Sequence, residues 1–489
     1  GKPKKFHKDN VPYHPKRHLK VSRGGLKPGD FVMVMGRPYH TARYLSSAAL
    51  KETLTWYYPT RLKMFSQWIE VLESLAKEVP AARIPTSSTL KSLHNGLTNF
   101  KGMIEGARKR KLMEARKAEE KRWRTWVNAN PKRKKRWAGS LDALMKFRKT
   151  DRKSRMRNLL LRYLLRGVKT LGFARVITKW AEEKTKPDAK REFGYQKRDK
   201  ARLESWLENA QRSYHLEAEK RVLALFLKWF GKLPRDQRVQ AFDKALGGDY
   251  GAKSIQRYVD RLFSKTALKK VEVRKKLFGK KLEELKKIDD AFIQLAFQIA
   301  PAMDAYEKAR KAKAGELFRL RRPYLQSLIA FRGKKFYPDA NASPRVSFAH
   351  VSGYSPRDGV WHLPFTTVSG LVAKHTGKKP FDAPDEVLKK APAAPKSPYA
   401  DKRLNDVPAC FLSNADTTGG NSGSPVMNGK GELVGLNFDR VYANISGDFG
   451  YSPARSRNIM VDVRFILWYL DEVLGAQSLI QELFPEKKD

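Results

Sequence analysis

Residues 417–439 read TTGGNSGSPVMNGKGELVGLNFD, and the organisation of the whole chain follows from this stretch. Ser422 stands between glycines at 420 and 423. Small residues on both sides let the backbone turn sharply and leave a serine Oγ exposed. The amide N–H groups of Gly420 and Ser422 can then converge on one point, as an oxyanion hole requires. A G-x-S-x-G elbow is not met, because Ser424 holds the fifth position and no strand-then-helix pattern surrounds it. Downstream, VMNGKGELVGLNF reads as two strands joined at an Asn428-Gly429 turn. The plain alternative is a Gly/Ser/Asn-rich loop without chemistry, and such short motifs arise often by chance.

Working outward, residues 1–45 look like β-structure, with GDFVMVMGRP as an apolar strand led in by a Gly-Asp turn. From residue 46 to about 330 the pattern changes to helical periodicity, for example in TRLKMFSQWIEVLESLAKEV and AEKRVLALFLKWFGKL. Pro131, Pro187, Pro234 and Pro301 punctuate these segments. Residues 331–489 return to short strands and turns, and VDVRFILWYLDEVLGAQSLIQEL closes the chain as an amphipathic helix. The order β, long helical insertion, β predicts one all-β domain interrupted by helices. A glycine-rich nucleophile loop leading into a hairpin suits a chymotrypsin-like β-barrel, so the fold class expected is α+β.

Of 489 residues, 100 are Lys or Arg and 50 are Asp or Glu, a formal net charge of +50. Residues 336–489 carry 17 bases and 17 acids, so the entire excess lies upstream. Such a basic region attracts nucleic acid, anionic headgroups or acidic peptides, or is simply a set of solvated helix faces. No run is long and apolar enough to span a membrane, and the N-terminus has no apolar signal core. One cysteine, Cys410, excludes an internal disulfide and a cysteine-based metal cage, and no metal or cofactor is expected.

A nucleophilic serine needs a base, and the nine histidines do not visibly supply one. His7, His14 and His18 look like tail charges, and His94 and His215 fall in helical segments. His350 and His362 read as barrel residues without the small or acidic neighbours usual around a general base.

Several blocks in order resemble the bacterial dipeptidyl-peptidase family typified by dipeptidyl-peptidases 7 and 11, which are serine exopeptidases. They are KDNVPYHPKRHLKVS, GDFVMVMGRPYHTARYL, NGLTNFKGM, FYPDANASPRVSFAHV, the nucleophile stretch, SGDF and the closing helix. The resemblance implies a double chymotrypsin-type barrel with an inserted helical cap. On that plan residues 1–45 are a remnant of the barrel region, 46–330 the cap, and 331–489 the second barrel. It further implies that the catalytic histidine and aspartate, and a signal peptide, lie upstream of residue 1. A periplasmic or cell-surface homodimer acting on oligopeptides with a free N-terminus is then expected, with no nucleic acid bound. By the same resemblance Asp439, helped by Asn95 on the cap, pairs with the substrate's α-amino group. Arg440 sets the S1 pocket, where an arginine goes with Asp or Glu at P1 through bidentate carboxylate binding. The stretch GRPYHTARYL departs from the family wording but is expected to lie clear of the nucleophile loop.

Two readings follow. In the first, Ser422 is the nucleophile of an Asp/Glu-specific dipeptidyl-peptidase, and this chain alone has little or no activity. In the second, the chain is a basic helical nucleic-acid-binding protein. The +50 balance and the Trp/Arg interleaving of KRWRTWVNANPKRKKRW favour that second reading.

Overall fold

A computed structural model of the chain describes residues 10, 11, 13, 15–149, 152–333 and 336–484, so His7 and His14 lie outside the described residues. The chain is mixed α and β and divides into two compact units. One comprises residues 1–45, 102–112 and 337–489, and the other 46–101 and 113–336.

The first unit is built on strands β1 (Phe31–Gly36), β2 (Arg345–His350), β3 (Tyr354–Arg357), β4 (Val360–His362) and β5 (Phe365–Thr367). It continues with β6 (Pro408–Ser413), β7 (Ser424–Met427), β8 (Leu433–Arg440) and β9 (Asn458–Asp462). Seven of them form an antiparallel sheet in the order β2-β1-β7-β8-β9-β6-β5, with β3-β4 as a separate hairpin. Val351, just past β2, bridges Ser413 at the end of β6. Ser352 N–H donates to Leu412 O at 3.0 Å and Asn414 N–H to His350 O at 3.2 Å. The sheet therefore curls until its first strand meets its sixth. Alternation sets the inner face: Val32 and Val34 of β1 pack with Phe411, Val426, Val434 and Met460. Every second residue faces inward, so the curled sheet needs no second layer to bury this core.

β1 is hydrogen-bonded to β2 on one side and β7 on the other. One expectation is corrected here: the β7–β8 connection is not a two-residue Asn-Gly turn. It spans residues 428–432, with Asn428 N–H to Glu432 O at 3.0 Å and Gly431 at φ +78°. The Asn428 side chain organises it by accepting from Lys430 N–H and Glu432 N–H, a role its short amide suits.

The second unit is helical throughout. In Ala252–Ser264 the buried residues are Ile255, Tyr258, Val259, Leu262 and Phe263, the i, i+3, i+4, i+7, i+8 stripe of an amphipathic helix. Each such side chain stabilises the fold by about 1.5–3 kcal/mol. The helix Ala291–Arg332 is capped by Asp290, whose Oδ1 accepts from the N–H groups of Phe292 and Ile293. It runs through Pro301 and Pro323, so Pro301 does not end a helix as expected. The buried residues around Pro301, among them Phe292, Ile293, Ile299 and Met303, offset the hydrogen bond it removes. Trp123 is fully buried and donates to Ser327 Oγ, Trp126 and Trp137 stack, and Arg133 lies 4.2 Å over Trp126. The tryptophans of this stretch are thus used in packing within the unit, while Arg122, Lys132, Lys134, Lys135 and Arg136 stay exposed. The closing segment is a helix Val463–Trp468 and a further helix Gln477–Leu483, interrupted at Gly475 (φ +61°). No helix among the described residues is long and apolar enough to cross a membrane.

Candidate active site

The loop before β7 is shaped by backbone that only glycine tolerates. Gly420 has φ +102°, and a Cβ there would run into the carbonyl oxygen of Arg37 and the amide of Tyr39. Gly423, at φ +81°, faces open space. Within the loop, Asn421 N–H donates to Thr418 O at 3.1 Å and Ser424 N–H to Asn421 O at 2.9 Å. The buried Asn421 side chain closes the turn by accepting from Thr418 N–H at 3.2 Å. From β8, Asn437 fixes both ends: its carbonyl accepts from Gly423 N–H at 2.8 Å, and its side-chain amide donates to Asn421 O at 3.1 Å.

The outcome is an exposed Ser422 whose Oγ donates to the Phe438 carbonyl oxygen at 3.0 Å. Among the described residues, neither Gly420 N–H nor Ser422 N–H donates to a protein acceptor. Two undedicated amides beside an exposed hydroxyl can stabilise a tetrahedral oxyanion. No described histidine is bonded to Ser422. His94 pairs with Glu73, His350 contacts Gly29 O, His362 packs on Tyr354, and His215 precedes the helix Leu216–Gly231.

The residues following Ser422 in β8 converge on the same loop. Neighbouring strand residues face opposite sides, so Asp439 and Arg440 could share a site only if the strand bent or ended here. It ends at Arg440: Asp439 pairs with Ile459 and Arg440 with Asn458 at the last rung, just past a β-bulge at Phe438. Asp439 is exposed and its carboxylate accepts from Arg440 N–H. The Arg440 guanidinium is bound bidentately by Asp448, at 2.6 and 3.2 Å. The same Asp448 Oδ1 accepts from Thr418 Oγ1 at 2.7 Å, tying the arginine to the start of the nucleophile loop. Ser422, Gly420, Asp439 and Arg440 are thus brought together in one unit. Asn95 stands exposed on the helix Arg83–Lys109, in the part assigned to the other unit.

Four participants escaped the sequence reading. Asp448 sits in the quoted SGDF block but was given no role. Its segment, Tyr442–Phe449, is supported by Gly102 and Gly106, where side chains would strike Ile445 and Ser446. Arg43 and Asp416 form a second bidentate pair, both bonds 2.6 Å, and lie 373 residues apart, a separation that no local pattern bridges. Burial opposes the Arg43 charge, yet the bonded Asp416 carboxylate holds its pKa above the usual value. Burial, with Asp416 adjacent, pushes the Tyr337 phenol up to about 12. Arg43, Asp416 and Tyr337, with Thr417 and Thr418, line a cavity of 550 Å³. One expectation is overturned: the divergent stretch after Gly36 does touch the nucleophile loop. Tyr39 N–H donates to Gly419 O at 2.7 Å, and residues 37 and 39 force Gly420 to be glycine. Among the described residues no group of three or more His, Cys, Asp or Glu side chains could hold a metal ion.

Comparisons with known proteins identify relatives of the whole chain. The Asp/Glu-specific dipeptidyl-peptidase of Shewanella putrefaciens is 34% identical over 510 residues, covering 99% of this chain and 68% of its own length. The protein of the same description from Porphyromonas endodontalis is 30% identical, with 99% and 67% covered. The crystal structure of Porphyromonas endodontalis DPP11 in complex with dipeptide Arg-Glu superposes with a TM-score of 0.80 at 27% identity. That match covers 99% of this chain and 68% of that one. The family model described as Peptidase S46 matches residues 1–485, and the chain belongs to that family.

Proposed function

We propose that this chain carries the nucleophile, the oxyanion hole and the specificity pocket of a serine dipeptidyl-peptidase that prefers Asp or Glu at P1. The observation that carries the reading is the junction of Ser422 with Arg440. An exposed serine hydroxyl on a loop with two undedicated amides is linked through Asp448 and Thr418 to a largely buried guanidinium. In the reaction, Ser422 Oγ attacks the carbonyl carbon of the second residue. The C–N bond to the third residue breaks, the shortened peptide leaves as a free amine, and the dipeptide stays as an acyl-enzyme that water then hydrolyses. The Gly420 and Ser422 amides hold the oxyanion, and Asp439, with Asn95, holds the substrate's ammonium. An ammonium anchored at a fixed distance from the nucleophile counts two residues, which makes the enzyme an exopeptidase. Among the described residues no histidine is bonded to Ser422, whose Oγ donates to the Phe438 carbonyl, so the general base that takes its proton is not one this geometry supplies. The curled sheet, with its nucleophile loop entering the β7–β8 hairpin, is read as the second barrel of a chymotrypsin-like pair. Membership in a peptidase family and the internal packing of Trp123, Trp126 and Trp137 favour this reading over nucleic-acid binding.

Because binding needs no base, the chain can be tested directly by calorimetry with the dipeptide Leu-Glu, its N-acetyl form and Leu-Leu. Leu-Glu is expected to bind at least tenfold more tightly than either control, and equal affinities for the three would overturn the assignment. Hydrolysis of an acidic-P1 dipeptide reporter by this chain alone is expected to be negligible.

A further inference from the structure

Within the helical unit, a cavity of 340 Å³ is lined by four guanidiniums, those of Arg148, Arg155, Arg162 and Arg310, together with Lys313. Among the described residues, Glu52 is the one carboxylate in its lining. Glu52 is ion-paired loosely with two of the guanidiniums, at 3.7 Å from Arg148 and 3.8 Å from Arg155, so one carboxylate is divided between them. Arg155 lies flat on Trp56 at 4.0 Å, and Arg162 makes only a 3.3 Å bond to the Tyr57 hydroxyl. Arg310 is paired outward with Glu307. Burial and the nearby Arg321 hold the Arg148 pKa below its usual value despite Glu52.

Gathering like charges around a hollow costs free energy unless something of opposite sign enters it. We propose that this cavity is a binding site for a small phosphate-bearing polyanion. Planar guanidinium forks match phosphate and carboxylate oxygens alike, so the arginines alone do not choose between them. The balance of charge does choose: four guanidiniums and Lys313 against one carboxylate suit a group with two or more negative charges, as a pyrophosphate or a phosphorylated group has and a single carboxylate lacks. The volume falls in the range of small-ligand pockets, roughly 300–1,000 Å³. It admits a pyrophosphate or a phosphorylated headgroup and excludes a folded chain. The site stands on residues separate from Ser422 and Arg440 and does not rest on the peptidase assignment.

The probe is sodium pyrophosphate, titrated calorimetrically into the whole chain at constant ionic strength, with sulfate as the anion of lower charge. Pyrophosphate is expected to bind at least tenfold more tightly than sulfate. The double variant Arg148→Gln with Arg162→Gln should weaken it tenfold or more. The charge-matched exposed pair Lys200→Gln with Arg319→Gln should leave it within twofold. Glu52→Gln should tighten binding at least threefold, and this opposite sign keeps the test decisive if the arginine variant misfolds. Flotation with phosphatidylcholine vesicles, with and without phosphatidic acid, separates the sources. Recruitment that pyrophosphate reverses supports a lipid headgroup, and pyrophosphate binding without recruitment supports a soluble phosphate. Equal weakening by the exposed pair, or no tightening in Glu52→Gln, would overturn the site.

Discussion

Arg440 is not a free cation awaiting an acidic P1 side chain. Asp448 already holds it through two bonds, and the two side chains are only 12% and 15% exposed. A substrate carboxylate must therefore share the guanidinium with Asp448. Two carboxylates on one guanidinium lie about 5 Å apart, which at an effective dielectric of ~20 gives a repulsion of about 3 kcal/mol. Partial exposure and salt reduce that to roughly 1.5–3 kcal/mol, a factor of about ten to a hundred in affinity. Asp448→Asn removes the like charge while keeping an oxygen that accepts from both Arg440 and Thr418, so the pocket keeps its shape. The expected result is that Leu-Glu binds ten- to a hundredfold more tightly to the variant, with Leu-Leu changed less than about threefold. Calorimetry on the chain reads both directly. If Leu-Glu binding is unchanged or weaker while the melting temperature and Leu-Leu binding hold, the reasoning fails. Asp448 would then serve to position Arg440 and not to compete for it.

Three further outcomes are expected. Arg440→Gly should abolish the preference for Leu-Glu over Leu-Leu, and retained selectivity in calorimetry would remove Arg440 from the pocket. Gly420→Ala and Gly423→Ala both place a side chain at positive φ, at about 1–2 kcal/mol each, but only the first also collides with the backbone of Arg37 and Tyr39. Urea denaturation should therefore show Gly420→Ala to be less stable than Gly423→Ala by a further 1–3 kcal/mol or so, and equal losses would contradict the observed packing. In the helical unit, burial raises the Glu219 pKa from 4.5 to about 7, although Thr170 hydrogen-bonds its carboxylate. The folded form then binds the extra proton between those values, so stability falls as pH rises from about 4.5 through 7 and levels off above, by about 3 kcal/mol in all. Glu219→Gln should remove that slope and melt higher than the parent at pH 8, and an unchanged pH profile of melting temperature would refute it.

The nucleophile loop was legible in the sequence because its requirements are local. Gly420, Ser422 and Gly423 lie within four residues, and a backbone that turns at positive φ selects glycine whatever surrounds it. The helical region was legible for the same reason, since a 3.6-residue apolar stripe such as that of Ala252–Ser264 is written in consecutive residues. Family resemblance, not spacing, gave Asp439 and Arg440 their roles. The bulge at Phe438, just before both, and the end of the strand at Arg440 depend on how β8 pairs with β9 and have no local signature.

What only the tertiary structure decided is which charges meet. Sequence marks Arg440 as a cation and Asp448 as an anion, but the fold makes them one neutral, half-sheltered pair and so changes what an acidic substrate must overcome. The Arg43–Asp416 pair and the arginine-lined cavity around Glu52 arise in the same way. Hydrophobic periodicity and glycine placement act over a few residues and can be read along the chain. Electrostatic partners are chosen by distance in space, and folding sets that distance between residues hundreds of positions apart.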